Sequence, residues 1–150
     1  MNTNQKIVNR IDLRAMLSTL WIFLALNYIY CDHLGLMEPE ALQSLMKGQV
    51  GNVPVTQGFL FAAAIILEIS FVMVVLSRVL PYRANRWANI AAGLILTIIQ
   101  VGTMGLGTAP TPVYLFYSVI EVAVNLLIVW LAWQWKKPET DSVVMRLQEA

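Results

Sequence analysis

Charged side chains are scarce in this sequence. Only 13% of its 150 residues are charged, whereas 58% are hydrophobic and the mean hydropathy is +0.64. The longest segment without a charged side chain covers residues 87–120, and a membrane span needs only about 20 residues. This composition excludes an ordinary soluble domain and indicates an integral membrane protein.

Several chemical signatures are also absent. The formal net charge is +1 and Lys and Arg are not clustered as in nucleic-acid-binding domains, so we expect no nucleic-acid partner. A single cysteine, Cys31, and a single histidine, His33, cannot form an intramolecular disulfide, a CxxC pair or a zinc motif. No glycine loop of the phosphate-binding or dinucleotide-binding type is present. We therefore expect neither a metal nor a cofactor.

Four apolar segments are long enough to cross a bilayer, at about residues 16–37, 57–79, 87–106 and 113–135. They predict an all-α fold, an integral membrane bundle of four transmembrane helices that forms a single domain over residues 1–150, with a polar tail at 138–150. Basic residues precede the first segment, but no small-residue cleavage site follows it. We expect a retained first span rather than a signal peptide.

The loop between the first two segments, residues 38–56, contains a predicted short helix. Pro39 suits a first helical position, Leu42, Leu45 and Met46 recur at helical spacing, and Gly48 is a plausible stop. Two interpretations stay open. The helix lies in the membrane interface over the mouth of the bundle, or the segment is simply a covered loop.

The basic residues predict the orientation of the chain. Nine of the ten fall before the first segment, between the second and third, or after the fourth, and Lys47 is the exception. By the positive-inside rule, both termini are cytoplasmic, and the loop that carries Lys47 faces outward.

Two acidic residues lie deep within the predicted spans. Glu68 is about 16 Å from the start of its segment and Glu121 about 12 Å from the start of its own, at 1.5 Å per residue. An acidic side chain at the centre of a span costs about 2.5–3.5 kcal/mol. Since no Lys or Arg lies at this depth, each acid is either protonated or compensated by His33, by water, or by a bound cationic or hydrogen-bonding ligand.

Helical spacing sorts the polar residues of each span onto one stripe. We expect the four stripes to face inward and to form a polar pocket in the outer half of the bundle. The candidate ligand-binding or proton-binding residues are Glu68, Glu121, Asp32, Asn27, Gln100, Asn125, His33 and Tyr117. In the alternative interpretation, Glu68 and Glu121 only donate hydrogen bonds to Asn27, Gln100 or Asn125 across helices.

Two segments carry a family resemblance. At LNYIYCDHLGLM and TQGFLFAAAIILEISFVMVVLSRVLPYRANRWANI, the chain resembles a family of small, uncharacterised bacterial four-helix membrane proteins, over most of residues 16–135. More loosely, it resembles the DoxX-like group in size and span layout. These resemblances imply an inner-membrane bundle and no defined activity. RANRWAN is similar to a stretch of the membrane glutathione-transferase superfamily, but Asn85 stands where that family has histidine, so its chemistry is not carried over.

Three functions are compatible with these features. The first is a protein that binds or transports a small molecule in an acidic pocket, with proton coupling through a Glu. Four spans are few for a carrier, so a homodimer is expected. The second is a non-catalytic accessory or scaffold subunit of a membrane complex, whose polar stripes satisfy a partner subunit. The third, an enzyme acting on a lipid-soluble substrate, lacks a visible nucleophile or metal and is the least favoured.

Overall fold

The computed structural model describes residues 12–104 and 110–135, which are mainly helical. Five helices are present in these ranges: α1 (Leu13–Gly35), α2 (Pro39–Met46), α3 (Gln57–Val79), α4 (Tyr82–Thr103) and α5 (Pro112–Gln134). A small hairpin of β1 (Gln49–Val50) and β2 (Val53–Pro54) lies between α2 and α3. The prediction of an all-helical chain is confirmed, apart from this hairpin.

Three of the long helices, α1, α3 and α5, are long and apolar enough to cross a membrane. This agrees with the prediction of a membrane protein. Helix α4 has a similar length, 22 residues, but its first half carries Arg83, Asn85, Arg86 and Asn89 and is less apolar. By composition, α1, α3 and α5 are therefore candidate membrane spans, whereas α4 is not.

Local capping sets the observed helix ends. Thr56 precedes α3 and Thr111 precedes α5, and each hydroxyl accepts a hydrogen bond from the backbone N–H three residues later, at 3.1 and 3.2 Å. Helix α3 has the predicted bounds, and α1 and α5 start slightly earlier than predicted. Helix α4 starts at Tyr82, five residues before the predicted 87. Pro81 directly precedes it, and proline is favoured at the start of a helix. Residues 105 and 106 of the predicted third segment lie outside the described ranges.

The loop between α1 and α3 contains the predicted short helix and an unpredicted hairpin. Helix α2 starts at Pro39 as expected, and Gly48 follows it with a positive φ of 75°. Val50 of β1 then pairs with Val53 of β2, and the two antiparallel strands are joined by a two-residue turn. Gly51 opens that turn at φ 58°, a conformation that favours glycine.

The four long helices form a bundle in which each packs against two neighbours. Helix α1 contacts α3 and α5, and α4 contacts α5 and α3, so α3 lies diagonally opposite α5. The connection between α3 and α4 is so short that these helices are antiparallel. The apolar core is formed by Leu17, Trp21, Leu24, Met73, Ala92, Leu96 and Ile128.

Candidate functional site

A cavity of about 230 Å³ lies inside one end of the bundle, the end at which α2 and the hairpin connect α1 to α3. All four long helices line it. The contributions come from the second halves of α1 and α4 and from the first halves of α3 and α5, as alternating helix directions require. The lining residues are Tyr28, Cys31, Asp32, Ala63, Ile66, Leu67, Leu96, Ile99, Gln100, Thr103, Tyr114 and Glu121.

The most unusual side chain in this cavity is Glu121. It is only 1% exposed, and its Oε1 has no hydrogen-bond partner among residues 12–104 and 110–135. Asp32, an exposed residue, also lines the cavity, whereas no Lys, Arg or His of the described part of the chain does. A buried carboxyl oxygen without a partner is costly, since the hydrogen bonds that it made with water are not replaced. This end of the bundle is therefore acidic and incompletely satisfied.

The other polar groups around the cavity connect neighbouring helices. The amide of Gln100 on α4 donates to Ser118 Oγ on α5 at 2.8 Å, and the hydroxyls of Thr103 and Tyr114 lie 3.0 Å apart. These pairs hold α4 and α5 together beside Glu121. They leave the carboxyl group of Glu121 as the group best able to interact with a molecule in the cavity.

Asn125 lies one helical turn beyond Glu121 and is fully buried. Its Nδ2 donates to the hydroxyl of Tyr28 on α1 at 3.0 Å, while its Oδ1 has no partner within the described ranges. Tyr28 itself lines the cavity. Asn125 thus holds the lining residue Tyr28 in place by a hydrogen bond. It also has a second unsatisfied acceptor one helical turn from Glu121.

Three of the eight predicted site residues line the cavity, namely Glu121, Asp32 and Gln100. Three others, Asn27, His33 and Tyr117, do not. The amide of Asn27 donates to the backbone of its own helix at Phe23, at 2.8 Å. His33 is exposed, and the ring of Tyr117 packs edge to face on its neighbour Phe116, with centroids 5.4 Å apart.

The expected orientation of Glu68 is wrong. The stripe on α3 that was expected to face inward, Gln57, Phe61, Ala64 and Glu68, is exposed throughout. The face of α3 that packs into the bundle carries small and apolar residues instead, including the buried Ser70, Met73 and Ser77. Small side chains allow the helices to approach closely, and this packing determines how α3 is rotated. Glu68 consequently lies outside the cavity.

The sequence-based prediction also missed the walls that α3 and α4 contribute. Ala63, Ile66 and Leu67 on α3 and Leu96 and Ile99 on α4 form an apolar wall of the cavity. A search for polar residues could not have found them. No group of three His, Cys, Asp or Glu side chains suited to a metal ion occurs in the described ranges. The cavity thus combines an acidic pole with an apolar wall.

A second polar group, the asparagine cluster, fills the opposite end of the bundle and consists of Trp21, Ser77, Asn85 and Asn89. Asn89 Oδ1 accepts hydrogen bonds from Trp21 Nε1 at 2.7 Å and from Ser77 Oγ at 3.2 Å. Asn89 Nδ2 donates to Asn85 Oδ1 at 2.7 Å, and Asn85 Nδ2 donates to the backbone carbonyl of Ser77 at 2.7 Å. The spacing of Asn85 and Asn89, four residues apart, was the available signal for this cluster.

Two further contacts close that end. The Tyr82 hydroxyl donates to the backbone carbonyl of Trp135 at 2.6 Å, and Arg86 donates to that of Trp133 at 3.0 Å. The Arg86 guanidinium also lies 5.7 Å from the centre of the Trp133 ring, within the range of a cation–π contact. Helix α4 is thereby fixed to the end of α5.

A family model matches residues 6–142 of the chain, and the protein belongs to that family, a family of unknown function (DUF6326). The expected membership of an uncharacterised family is confirmed. No curated protein and no solved structure matches the chain.

Proposed function

We propose that this member of a family of unknown function is a four-span protein of the bacterial inner membrane that binds a small organic cation in the cavity beside Glu121. The observation that carries the proposal is the buried, unpartnered Glu121 Oε1 in a cavity to which Asp32 adds a second acid. A protonated amine would supply both a positive charge and the missing hydrogen bond.

The assignment of α4 as the fourth span rests on where its polar residues point. Asn85 and Asn89 lower its average hydropathy, but both are fully buried. Between Arg83 and Thr103, the exposed side of α4 is apolar and includes Trp87, Ile95 and Ile98. A helix with buried polar groups and an apolar outer surface suits lipid, because its polar groups are already hydrogen-bonded inside the protein.

The short helix α2 is assigned to the membrane interface. Leu42 and Met46 on this helix are exposed, as are Leu36 and Met37 just before it. These apolar side chains collect at one end of the bundle, beside polar neighbours such as Glu40 and Lys47. Such a helix lies in the boundary between headgroups and acyl chains.

The orientation follows from the described basic residues. Arg78, Arg83 and Arg86 lie at the end that holds the asparagine cluster, and Lys47 lies at the cavity end. The positive-inside rule then places the cavity end outside and both termini in the cytoplasm. Lys6, Arg10, Lys136, Lys137 and Arg146, which also contributed to the sequence-based orientation, lie outside the described ranges. The likeness to the DoxX-like group stays a prediction.

The size of the cavity limits the ligand. A volume of about 230 Å³ lies below the roughly 300–1,000 Å³ of pockets that bind drug-sized ligands, so the ligand must be small. The apolar wall of Ile66, Leu67 and Ile99 suits a short hydrocarbon chain, while Glu121 suits an ammonium group. We therefore propose small alkylammonium ions as the ligand class. Exchange of such a cation for a proton on Glu121 would provide the proton coupling of a transporter.

Binding of n-butylammonium to the detergent-solubilised protein tests the proposal by calorimetry. We expect Glu121→Gln to weaken binding by at least tenfold, because a charge-assisted hydrogen bond in a buried site contributes more than a neutral one. Glu68→Gln is the matched control and should bind as the wild type does, since Glu68 lies outside the cavity. Neutral n-butanol should bind weakly to all three proteins.

Equal binding of n-butylammonium by wild type and Glu121→Gln would overturn the proposal. So would the absence of binding to the wild type. Native mass spectrometry of the same three proteins then supplies the second measurement: a small adduct carried by wild type and Glu68→Gln but not by Glu121→Gln supports a binding protein. An adduct-free wild type would favour the accessory-subunit hypothesis.

A further inference from the structure

Helix α3 exposes an acidic residue at the middle of its length. Glu68 is eleven residues from Gln57, which places it about 16 Å along the helix, near the middle of a hydrocarbon core about 30 Å thick. Its neighbours on the same side, Phe61, Ala64, Ile65 and Val72, are also exposed. These five residues form the Glu68 face, and α3 is the least buried of the three apolar helices.

The Glu68 face does not suit contact with lipid alone. Four of its members are apolar, but the carboxyl group at its centre would face acyl chains. Ionisable side chains within spans almost always face a protein interior or an aqueous cavity. The cavity of this protein cannot receive Glu68, since the packing of Ser70, Met73 and Ser77 turns Glu68 away from it. Another protein surface at the same depth must therefore satisfy the carboxyl group.

We propose that the Glu68 face is covered by the Glu68 face of a second copy of this chain. Two copies in one membrane share an orientation, so the two-fold axis of a dimer is parallel to the membrane normal. Residues of equal depth then meet across the axis. Glu68 meets Glu68, and two carboxyl groups that share a proton hydrogen-bond each other without a complementary residue elsewhere on the surface.

The residues around Glu68 suit this contact. Ala64, one turn before Glu68, allows two parallel helices to approach closely, and Phe61, Ile65 and Val72 supply an apolar seam on both sides. Helix α5 lies diagonally opposite α3, so a dimer through α3 leaves α5 and its Glu121 undisturbed. The inference rests on the membrane placement of α3 but not on the ligand of the cavity.

Cysteine cross-linking in membranes tests the arrangement. In a Cys31→Ala background, which removes the single native cysteine, Ala64→Cys places a thiol beside the proposed axis. Ala123→Cys is the matched control, because Ala123 is also an exposed alanine but lies on α5. After mild oxidation, we expect Ala64→Cys to give a species of twice the 16.8 kDa chain mass, and Ala123→Cys to give little of it. Equal or greater cross-linking of Ala123→Cys would overturn the proposal.

The role of the carboxyl group is tested by a second substitution in the Ala64→Cys protein. Glu68→Gln keeps a donor and an acceptor and should retain cross-linking, whereas Glu68→Leu should lower the dimer association constant by about three- to twentyfold, the range of interhelical hydrogen bonds in membranes. Unchanged association of Glu68→Leu would refute the role of Glu68. n-Butylammonium binding by Glu68→Leu alone, with Cys31 and Ala64 left unchanged because Cys31 lines the cavity, separates the two proposals, since loss of the dimer should leave that binding intact.

Discussion

The asparagine cluster and the cavity are two polar regions inside one bundle, and they differ in how completely their hydrogen bonds are satisfied. In the cluster, the side-chain amides of Asn85 and Asn89 and the indole of Trp21 all have partners between 2.7 and 3.2 Å. At the cavity, Glu121 Oε1 and Asn125 Oδ1 are buried, and neither has a hydrogen-bond partner within the described ranges. A satisfied network stabilises a fold, whereas unsatisfied acceptors beside a cavity are typical of a binding site.

The largest expected effect on stability is at the centre of the asparagine cluster. Asn89→Ala removes the acceptor of Trp21 Nε1 and Ser77 Oγ and leaves several buried groups without partners. We expect a loss of about 2–4 kcal/mol in the free energy of unfolding, measured by denaturant titration in detergent. Asn27→Ala, which removes a hydrogen bond within a single helix, is the control and should cost less than about 0.5 kcal/mol. Similar losses in both variants would contradict a special role for the cluster.

An intermediate effect is expected at Gly93, where α4 packs tightly against α5 between the two polar regions. A methyl group at Gly93 would lie 2.7 Å from Val129 Cγ2 and 3.2 Å from the backbone oxygen of Asn125. Gly93→Ala should therefore destabilise the bundle by about 1–3 kcal/mol in the same titration. Gly102→Ala, at a position where no atom of the described residues lies within 4 Å of the added methyl group, should be neutral or slightly stabilising. If Gly93→Ala were as stable as Gly102→Ala, the close approach would not be a constraint.

The smallest effect on stability is expected at Glu121. Glu121→Gln replaces an unpartnered carboxyl group with an amide of the same shape, so the free energy of unfolding should change by less than about 1 kcal/mol. Together with the loss of n-butylammonium binding, this outcome would separate a binding group from a structural one. A loss as large as that of Asn89→Ala would instead make the cavity a second structural network and remove the contrast between the two regions.

On α4 and α5, several residues of the polar stripes that spacing predicts line the cavity, although Tyr117 does not. Gln100 lies near Thr103, and Glu121 is preceded by Tyr114, so the inward side of α4 and α5 could be inferred from spacing. On α3, the expected stripe depended on Glu68, and its orientation was wrong. Gln57 and Glu68 are eleven residues apart on an otherwise apolar stripe, and such sparse polar residues do not define an inward face, since each can also meet a partner outside the bundle.

The asparagine cluster and the hairpin were missed for different reasons. Asn85 and Asn89 lie in the RANRWAN segment, whose basic residues indicate only the orientation of the chain, whereas the four-residue spacing of its two amides indicates a shared helix face. The hairpin contains only two residues per strand, too few for an alternating pattern to predict it. Its signal was Gly51 in a two-residue turn.

The amino-acid sequence alone sets the helical character of the chain, the positions of its apolar segments and the lack of Lys and Arg at the depth of Glu68 and Glu121. These properties depend on composition and on local spacing, which each segment carries independently. Tertiary structure alone decided how each helix is rotated: Glu121 faces a cavity, Glu68 faces outward, and Asn89 joins Trp21 and Ser77. Rotation depends on the fit of side chains from several helices at once, with small residues such as Gly93 permitting the closest contacts, and no single segment contains that information.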